Sequence, residues 1–183
     1  MRYDGIYDAI VIGAGHAGVE ACLALARTGH KTLVVTLSLD AIAFMACNPA
    51  IGGTAKGHLV REIDALGGQM GLAADANALQ IRMLNTGKGA AVRSLRGQED
   101  KASYHGYMKR VLEREPDLDI LQSEVSRILT DGDGVCGIET MQGQRYVCRG
   151  IVVATGVYLN AEIIIGAFRH PVGPNGFWRA TAL

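Results

Sequence analysis

The sequence predicts an α/β fold: a parallel sheet with helices packed on it and a small antiparallel meander beside it. Three observations carry that prediction. The short β-branched run Ala9-Ile10-Val11-Ile12 reads as a buried parallel strand. It ends abruptly in Gly13-Ala14-Gly15-His16-Ala17-Gly18 and passes straight into a helical pattern. Val19, Leu23 and Ala26 share one face of that helix, and no breaker comes before Gly29. A second strand, residues 31–36 (KTLVVT), follows at once. Strand, helix and strand of this size form the first half of a doubly wound sheet.

Between the first strand and the helix, each glycine has a separate task. Gly13 permits the tight turn, Gly15 lets backbone approach a pyrophosphate, and Gly18 lets helix and strand pack closely. The helix N-terminus offers unpaired N–H groups and the positive end of its dipole to phosphates. In this context Gly13, Ala14, Gly15, His16, Ala17 and Gly18 read as a dinucleotide-binding fingerprint. At the end of the second strand an acidic residue usually bonds the adenosine ribose. Here Thr36 or Leu37 occupies that place, Asp40 comes a few residues late, and Thr36 offers one hydrogen bond. The departure counts against NAD at this loop and says little against FAD.

Composition narrows the remaining classes. The 183 residues suffice for one domain with a core, and a formal net charge of +0 leaves any polyanion contact to local patches. No apolar stretch is long enough for a membrane span, and the start lacks the pattern of a signal peptide. Cys22, Cys47, Cys136 and Cys148 are scattered without a CxxC pair. That argues against a metal site or disulfide framework and for a reducing, cytoplasmic setting.

A long connection, residues 38–56, follows the second strand, with a short helix expected over 41–46. The loop Cys47-Asn48-Pro49-Ala50-Ile51-Gly52-Gly53 has an extended Asn48 before proline and a glycine pair that exposes backbone N–H groups. Cys47 reads two ways: an active-site thiol on a loop, or a small buried hydrophobe, which spacing alone favours. Residues 57–68 read as a helix with Leu59, Ile63 and Leu66 inward and Gly67-Gly68 as its cap; His58 caps it or is solvated. Residues 69–97 have weak periodicity but carry Arg82, Lys88, Arg93 and Arg96 with no intervening acid in the segment 79–97. That segment is a polyanion contact or a solvated face.

Residues 98–115 read as an amphipathic helix stopped by Pro116, with Tyr104, Tyr107, Met108, Val111 and Leu112 at helical spacing. Strands follow at 120–129, 135–141 and 145–148, with turns at Asp131-Gly132-Asp133-Gly134 and Gln142-Gly143. A buried strand at 151–154 closes on Thr155-Gly156. A strand–helix–strand start, a long insert, a meander and a late strand ending in Ala-Thr-Gly is the layout of Rossmann-like FAD-binding domains of the glutathione-reductase type. The stretch 158–183 reads as irregular.

The blocks CNPAIGGTAKGHLVREIDALGG (47–68), GAGHAGVEA near the start, IRMLNTGKGAAVRSLRGQEDK (81–101) and VVATGVYLN near residue 155 resemble one family. It is the tRNA uridine 5-carboxymethylaminomethyl modification enzymes, MnmG or GidA. The likeness runs from about residue 7 to about 166. It implies an enzyme that binds FAD through residues 13–18, is reduced by NADH and works with an MnmE-like GTPase. Such an enzyme places a one-carbon unit from methylenetetrahydrofolate on carbon 5 of the tRNA wobble uridine. Val125 falls where family members contact FAD from the meander, and Thr155 and Gly156 follow the late strand. Cys47 matches a cysteine discussed as a catalytic thiol. Lys56, Arg61, Lys88, Arg93 and Arg96 are the implied tRNA contacts, acting on phosphates.

The family proteins are several times longer and tend to dimerise. The resemblance therefore implies that the 183 residues are the N-terminal part of an FAD/NAD(P)-binding domain, with 38–100 as an insert facing the active site and tRNA. It also implies that the NADH-binding region and the returning half of the FAD domain lie beyond this stretch. Two departures stand out: Ala90 replaces a usual proline, and His170-Pro171-Val172-Gly173-Pro174-Asn175-Gly176 stands where a Gly-Gly-Arg element is expected. They keep open a flavin oxidoreductase acting on a small molecule, or a non-catalytic flavin-binding module.

Overall fold

The computed structural model describes residues 3–132 and 134–183; Asp133 of the expected turn lies outside the described residues. In chain order the elements begin β1 (Gly5–Ile6), β2 (Ala9–Ile12), α1 (His16–Arg27) and β3 (Thr32–Thr36). Next come β4 (Ala50–Gly52), α2 (Lys56–Ala65), α3 (Met70–Asn77), β5 (Ala78–Leu84), β6 (Ser94–Glu99) and α4 (Lys101–Arg114). The chain continues through β7 (Leu118–Gln122), β8 (Val125–Asp131), β9 (Gly134–Thr140), β10 (Arg145–Val147), β11 (Gly150–Val153), β12 (Ile163–Ile165) and β13 (Phe168–His170). The chain divides into two compact units: residues up to Ile42 together with Leu112–Leu183, and Ala43–Val111.

The first unit is built on a parallel sheet of order β11-β2-β3-β7. Ile10 pairs with Leu33 and Ile151, and Val34 with Ile120, so the strands run in register from the fingerprint strand outward. All of β2 and β3 is buried, as continuous apolar runs in a covered parallel sheet must be. Ile10, Ile12, Leu33 and Val35 on one face pack with Val125, Ile138 and Tyr146 of a second sheet and with Cys148 just after it; that sheet is the antiparallel meander β8-β9-β10 with β1 added in parallel at the β10 edge. Val11 and Val34 lie on the alternate face, where α1 contributes Val19, Cys22, Leu23 and Ala26. Gly29 at φ +83° ends α1. Its N–H bonds the Ala26 carbonyl and the His30 N–H bonds Leu25, closing a Schellman cap.

The second unit is a three-stranded antiparallel sheet, β4-β6-β5, with α2 and α3 against β6. Asp100 caps α4, its Oδ1 accepting the Ser103 N–H at 2.8 Å. Tyr104 and Met108 of α4 are fully buried. The α/β class, the parallel sheet and the meander agree with the sequence reading.

Several element expectations are corrected. The stretch 120–129 is two strands: β7 joins the parallel sheet and β8 the meander, with the polar pair Ser123-Glu124 between them. No helix forms over 41–46. A short 3-10 turn, Leu39–Ala41, sits there instead, and Ala43 at φ +48° is left-handed. The helix expected from residue 98 starts at Lys101, because Gln98 and Glu99 belong to β6. Leu59 and Leu66 do not face inward; they are 57% and 89% exposed. The buried residue of α2 is Gly57, where a Cβ would come within 3.0 Å of the Leu95 carbonyl oxygen and 3.4 Å of the Ser94 Cβ. The helix approaches β6 through its glycine rather than through a leucine stripe. The Gly67-Gly68 cap holds: Gly67 is left-handed, and the two N–H groups bond Asp64 and Ile63. The β5–β6 hairpin takes up 78–97 of the stretch 69–97 that reads as weakly periodic, together with Gln98 and Glu99. Within 158–183 the chain forms the hairpin β12–β13.

Candidate dinucleotide-binding site

The loop from Gly13 to Gly18 lies at the carboxyl end of β2, where open α/β sheets bind ligands. The Gly13 N–H bonds the Val35 carbonyl at 2.8 Å, and the Ala154 N–H bonds Ile12 at 2.8 Å. The fingerprint loop and the Ala154-Thr155-Gly156 turn are therefore brought side by side. Gly13 has φ +104°, and a Cβ there would overlap the Ala154 carbonyl oxygen and stand 3.2 Å from the Thr155 nitrogen. At Gly18 a Cβ would overlap the Gly13 carbonyl oxygen and lie 3.4 Å from the Ala154 Cβ. Gly15 differs from both: its φ is −68°, and nothing lies within 4 Å of where its Cβ would be. The space in front of Gly15 is open, at the N-terminus of a 12-residue helix with no acid in its first turn.

Such a terminus presents backbone N–H groups that its own helix leaves unpaired. Gly15 and Ala17 are exposed there. His16 starts the helix, and burial holds its imidazole below the usual pKa, so the ring is neutral near pH 7. Positive character in the loop therefore comes from backbone dipoles rather than a side-chain cation. The cradle fits a pyrophosphate: glycine where a side chain would block it, and donors aimed out of the helix.

The adenosine end of the cradle is less conventional. Thr36 is buried and its hydroxyl donates to the Ser38 carbonyl at 3.2 Å. That hydroxyl keeps only lone pairs for a ligand. Beside it lies a cleft of about 250 Å³ lined by Leu37, Ser38 and Ala41, by Gln122 at the end of β7, and by Tyr158, Gly176, Phe177 and Trp178. Gln122 and the aromatic trio were not singled out from sequence; no motif marks them. Val125 is buried in the core cluster, so its side chain faces the sheet, and its backbone is what it can offer a ligand.

In the second unit Cys47 is exposed. The reading of Cys47 as a buried hydrophobe is therefore wrong, because the loop before β4 leaves the thiol in solvent. Cys22 and Cys148 are the buried ones, and burial pushes the Cys22 thiol up to about 12. Lys56 and Arg61 are exposed on α2, and Lys88 and Arg93 on the loop after β5, where the Arg93 Nε donates to the Lys88 carbonyl at 3.3 Å. Arg96 on β6 is half-buried and pairs in register with Arg82 on β5. Two like charges directly opposed are destabilising unless an anion sits between them. Arg82 belongs to the basic segment but was not among the site residues. The alternation Leu79-Gln80-Ile81-Arg82-Met83 was the signal that places it.

The family model "Glucose inhibited division protein A" matches residues 8–183. A relative from Alkaliphilus oremlandii, named tRNA uridine 5-carboxymethylaminomethyl modification enzyme MnmG, is 55% identical over 179 residues, covering 98% of this chain and 28% of its own length. One of the same name from Clostridium kluyveri is 58% identical over 178 residues, covering 97% and 28%. The solved structure of Aquifex aeolicus GidA superposes with a TM-score of 0.92 at 50% identity, over 96% of this chain and 29% of that one. The chain thus spans under a third of the length of the relatives it matches.

Proposed function

The chain belongs to the glucose inhibited division protein A family, and from that membership we propose that it is the FAD-binding portion of a tRNA-modifying enzyme. The enzyme adds a carboxymethylaminomethyl group to carbon 5 of the wobble uridine, in the cytoplasm, with an MnmE-like GTPase as partner and as a homodimer. FAD, NADH and methylenetetrahydrofolate serve the reaction, with NADH bound outside these residues. The observation that carries the reading is the open space at Gly15, flanked by two glycines that tolerate no Cβ.

FAD, when bound, would supply redox chemistry to the one-carbon unit; the residues of this chain would hold it and prepare the uridine. Gly13 to Gly18 would hold the pyrophosphate by backbone N–H groups, with Thr155 and Gly156 in the turn beside them. Cys47, exposed on its loop, adds as thiolate to carbon 6 of uracil. Glycine's amine takes the methylene carbon from the folate, whose nitrogen leaves with its electron pair and gains a proton; the uracil electron pair moves to carbon 5, which adds to the resulting iminium carbon as the C=N π pair passes to the glycine nitrogen. Loss of the carbon 5 proton expels the thiolate and restores the ring. Lys56, Arg61, Lys88, Arg93 and Arg96 bind tRNA phosphates, with Arg82 joining Arg96 across the β5–β6 ladder.

An absorbance spectrum of the purified chain, with added FAD and after dialysis, tests the cofactor assignment. Retained flavin bands support it; a colourless protein refutes cofactor binding by this stretch. Salt-dependent tRNA binding by the longer protein tests the substrate. Binding that ignores salt would remove the phosphate contacts.

A further inference from the structure

We propose that Cys136 and Cys148 form a redox modification site, an opposed pair of thiols that a peroxide joins into a disulfide and a dithiol reductant reopens. The pair lies outside the fingerprint loop, the Cys47 loop and the basic hairpin, and it does not depend on the tRNA or FAD reading.

Strand register brings the two sulfurs together. On the β9–β10 ladder Glu139 faces Arg145, Ile138 faces Tyr146 and Gly137 faces Val147. One step further along, Cys136 stands opposite Cys148, and the Cys148 N–H donates to the Cys136 carbonyl at 3.1 Å. Directly opposed residues send their side chains to the same face of a sheet. That face is the inner one, because Ile138 and Tyr146, two residues along from each cysteine, lie in the same buried cluster as Cys148. In a hydrogen-bonded pair the α-carbons stand about 5.5 Å apart, inside the roughly 4.4–6.8 Å that a disulfide spans. The β-carbons, about 4.5–5.5 Å apart, must close slightly to reach the roughly 3.5–4.5 Å of a relaxed bridge. A bond closed under that strain is readily reduced, as a switch requires and a permanent staple does not.

The two thiols differ in access. Cys148 is 3% exposed, while Cys136 is half-buried at the rim of the cluster. Burial pushes the Cys148 thiol up, and Cys136 is close enough to add to the effect. Cys136 therefore meets an oxidant first and Cys148 resolves the product. The Cys136 thiolate attacks one oxygen of hydrogen peroxide; the O–O bond breaks, and the departing hydroxide takes up the thiol's proton as water, leaving a sulfenic acid. The Cys148 sulfur then attacks that sulfur. The S–O bond breaks, and hydroxide leaves with the Cys148 proton as a second water. Each sulfur gives up one electron and the peroxide takes both; reopening draws two electrons and two protons from an external dithiol. The spacing of the cysteines in sequence argues against a disulfide framework, and a single reversible pair is the form that reducing compartments allow.

Peptide mapping tests the site on the chain as it stands. After peroxide treatment in native buffer and alkylation of the remaining thiols, trypsin cuts at Arg145 and Arg149 and separates residues 128–145 from 146–149. These two peptides should appear joined, lighter by two hydrogens than their sum, and a dithiol should separate them again. The oxidised chain should melt about 5 °C above the reduced one, as closure of a short loop predicts. In Cys148→Ser, Cys136 should run on to the sulfinic acid; in Cys136→Ser, Cys148 should stay a free thiol. Peptides 128–145 and 146–149 that stay separate while Cys47 is oxidised overturn the proposal. A sulfinic acid at Cys136 with Cys148 still free in the wild-type chain overturns it too, because the resolving step has then failed. A bridge that a dithiol does not reopen makes the pair a structural staple and refutes the switch. A bridged chain that melts below the reduced one also refutes it, since the bond then forms only in an opened sheet.

Discussion

Gly15→Val and Gly18→Ala are a matched pair whose effects should separate cleanly. At Gly15 the backbone is already extended, φ −68° and ψ −179°, a region valine adopts freely. No atom lies within 4 Å of the new Cβ. The folding cost is then that of a poor helix N-cap, about 1 kcal/mol. In a chain of this size that lowers the melting temperature by roughly 2–4 °C. At Gly18 a Cβ overlaps the Gly13 carbonyl oxygen and stands 2.9 Å from its carbon, both rigid backbone. Helix and loop must part, an overpacking cost of about 1–3 kcal/mol or more. Gly18→Ala should therefore melt well below Gly15→Val. Flavin binding should rank the other way relative to stability. Gly15→Val fills the pyrophosphate's approach and loses FAD at least 100-fold while the fold persists, read by calorimetry beside a thermal melt. A Gly15→Val protein that binds FAD within a few-fold of wild type would refute the placement of the phosphates. A Gly18→Ala protein as stable as wild type would refute the packing argument.

Other outcomes follow from the same geometry. Limited alkylation read by mass spectrometry should label Cys47 well before Cys22 and Cys148, which are buried; equal rates would mean the loop is not as described. Cys47→Ser should leave the melting temperature unchanged and stop uridine modification in the longer protein. Glu99 is 2% exposed, and neither carboxylate oxygen has a hydrogen-bond partner among the described residues. Burial, with Asp75 adding, raises its pKa to about 7. A raised acid binds its proton more tightly folded than unfolded, so stability falls as pH climbs from about 4.5 to 7 and is level above. The cost is at most about 3 kcal/mol. Glu99→Gln should flatten that slope in pH-dependent melts; an unchanged slope assigns it elsewhere. Arg96→Ala should lower the salt slope of tRNA binding by about one, with no gain in discrimination between tRNA sequences.

What could be read from sequence was whatever one local pattern fixes. The fingerprint strand, its glycine turn and α1 came through because an apolar run, a loop and a 3.6-residue period follow each other without a break. The late strand before Thr155 was legible for the same reason. Readings failed where a pattern had two meanings. Leu59, Ile63 and Leu66 have helical spacing, but spacing does not say that a stripe meets a core, and Gly57 makes the close approach instead. Residues 79–83 alternate as a strand does, yet the arginines drew the reading toward charge and the hairpin was missed. Asp100 is a favoured N-cap residue type, and taking it as the cap starts α4 correctly. The cleft with Trp178 had no sequence signal, because hydrogen bonds from residues 124, 158 and 160 assemble it.

The strand order of the parallel sheet also dictates a schedule. Pairing β3 with β7 closes residues 37–117, which costs about 4 kcal/mol of chain entropy. The β5–β6 hairpin closes residues 85–93 for about 2 kcal/mol. The local hairpin and the meander should therefore gain hydrogen-exchange protection early in refolding, with β7 docking late. Until it docks, β3 presents an unpaired apolar edge of five residues, Thr32–Thr36. Losses to aggregation should be decided in that interval, and they should rise with protein concentration during refolding.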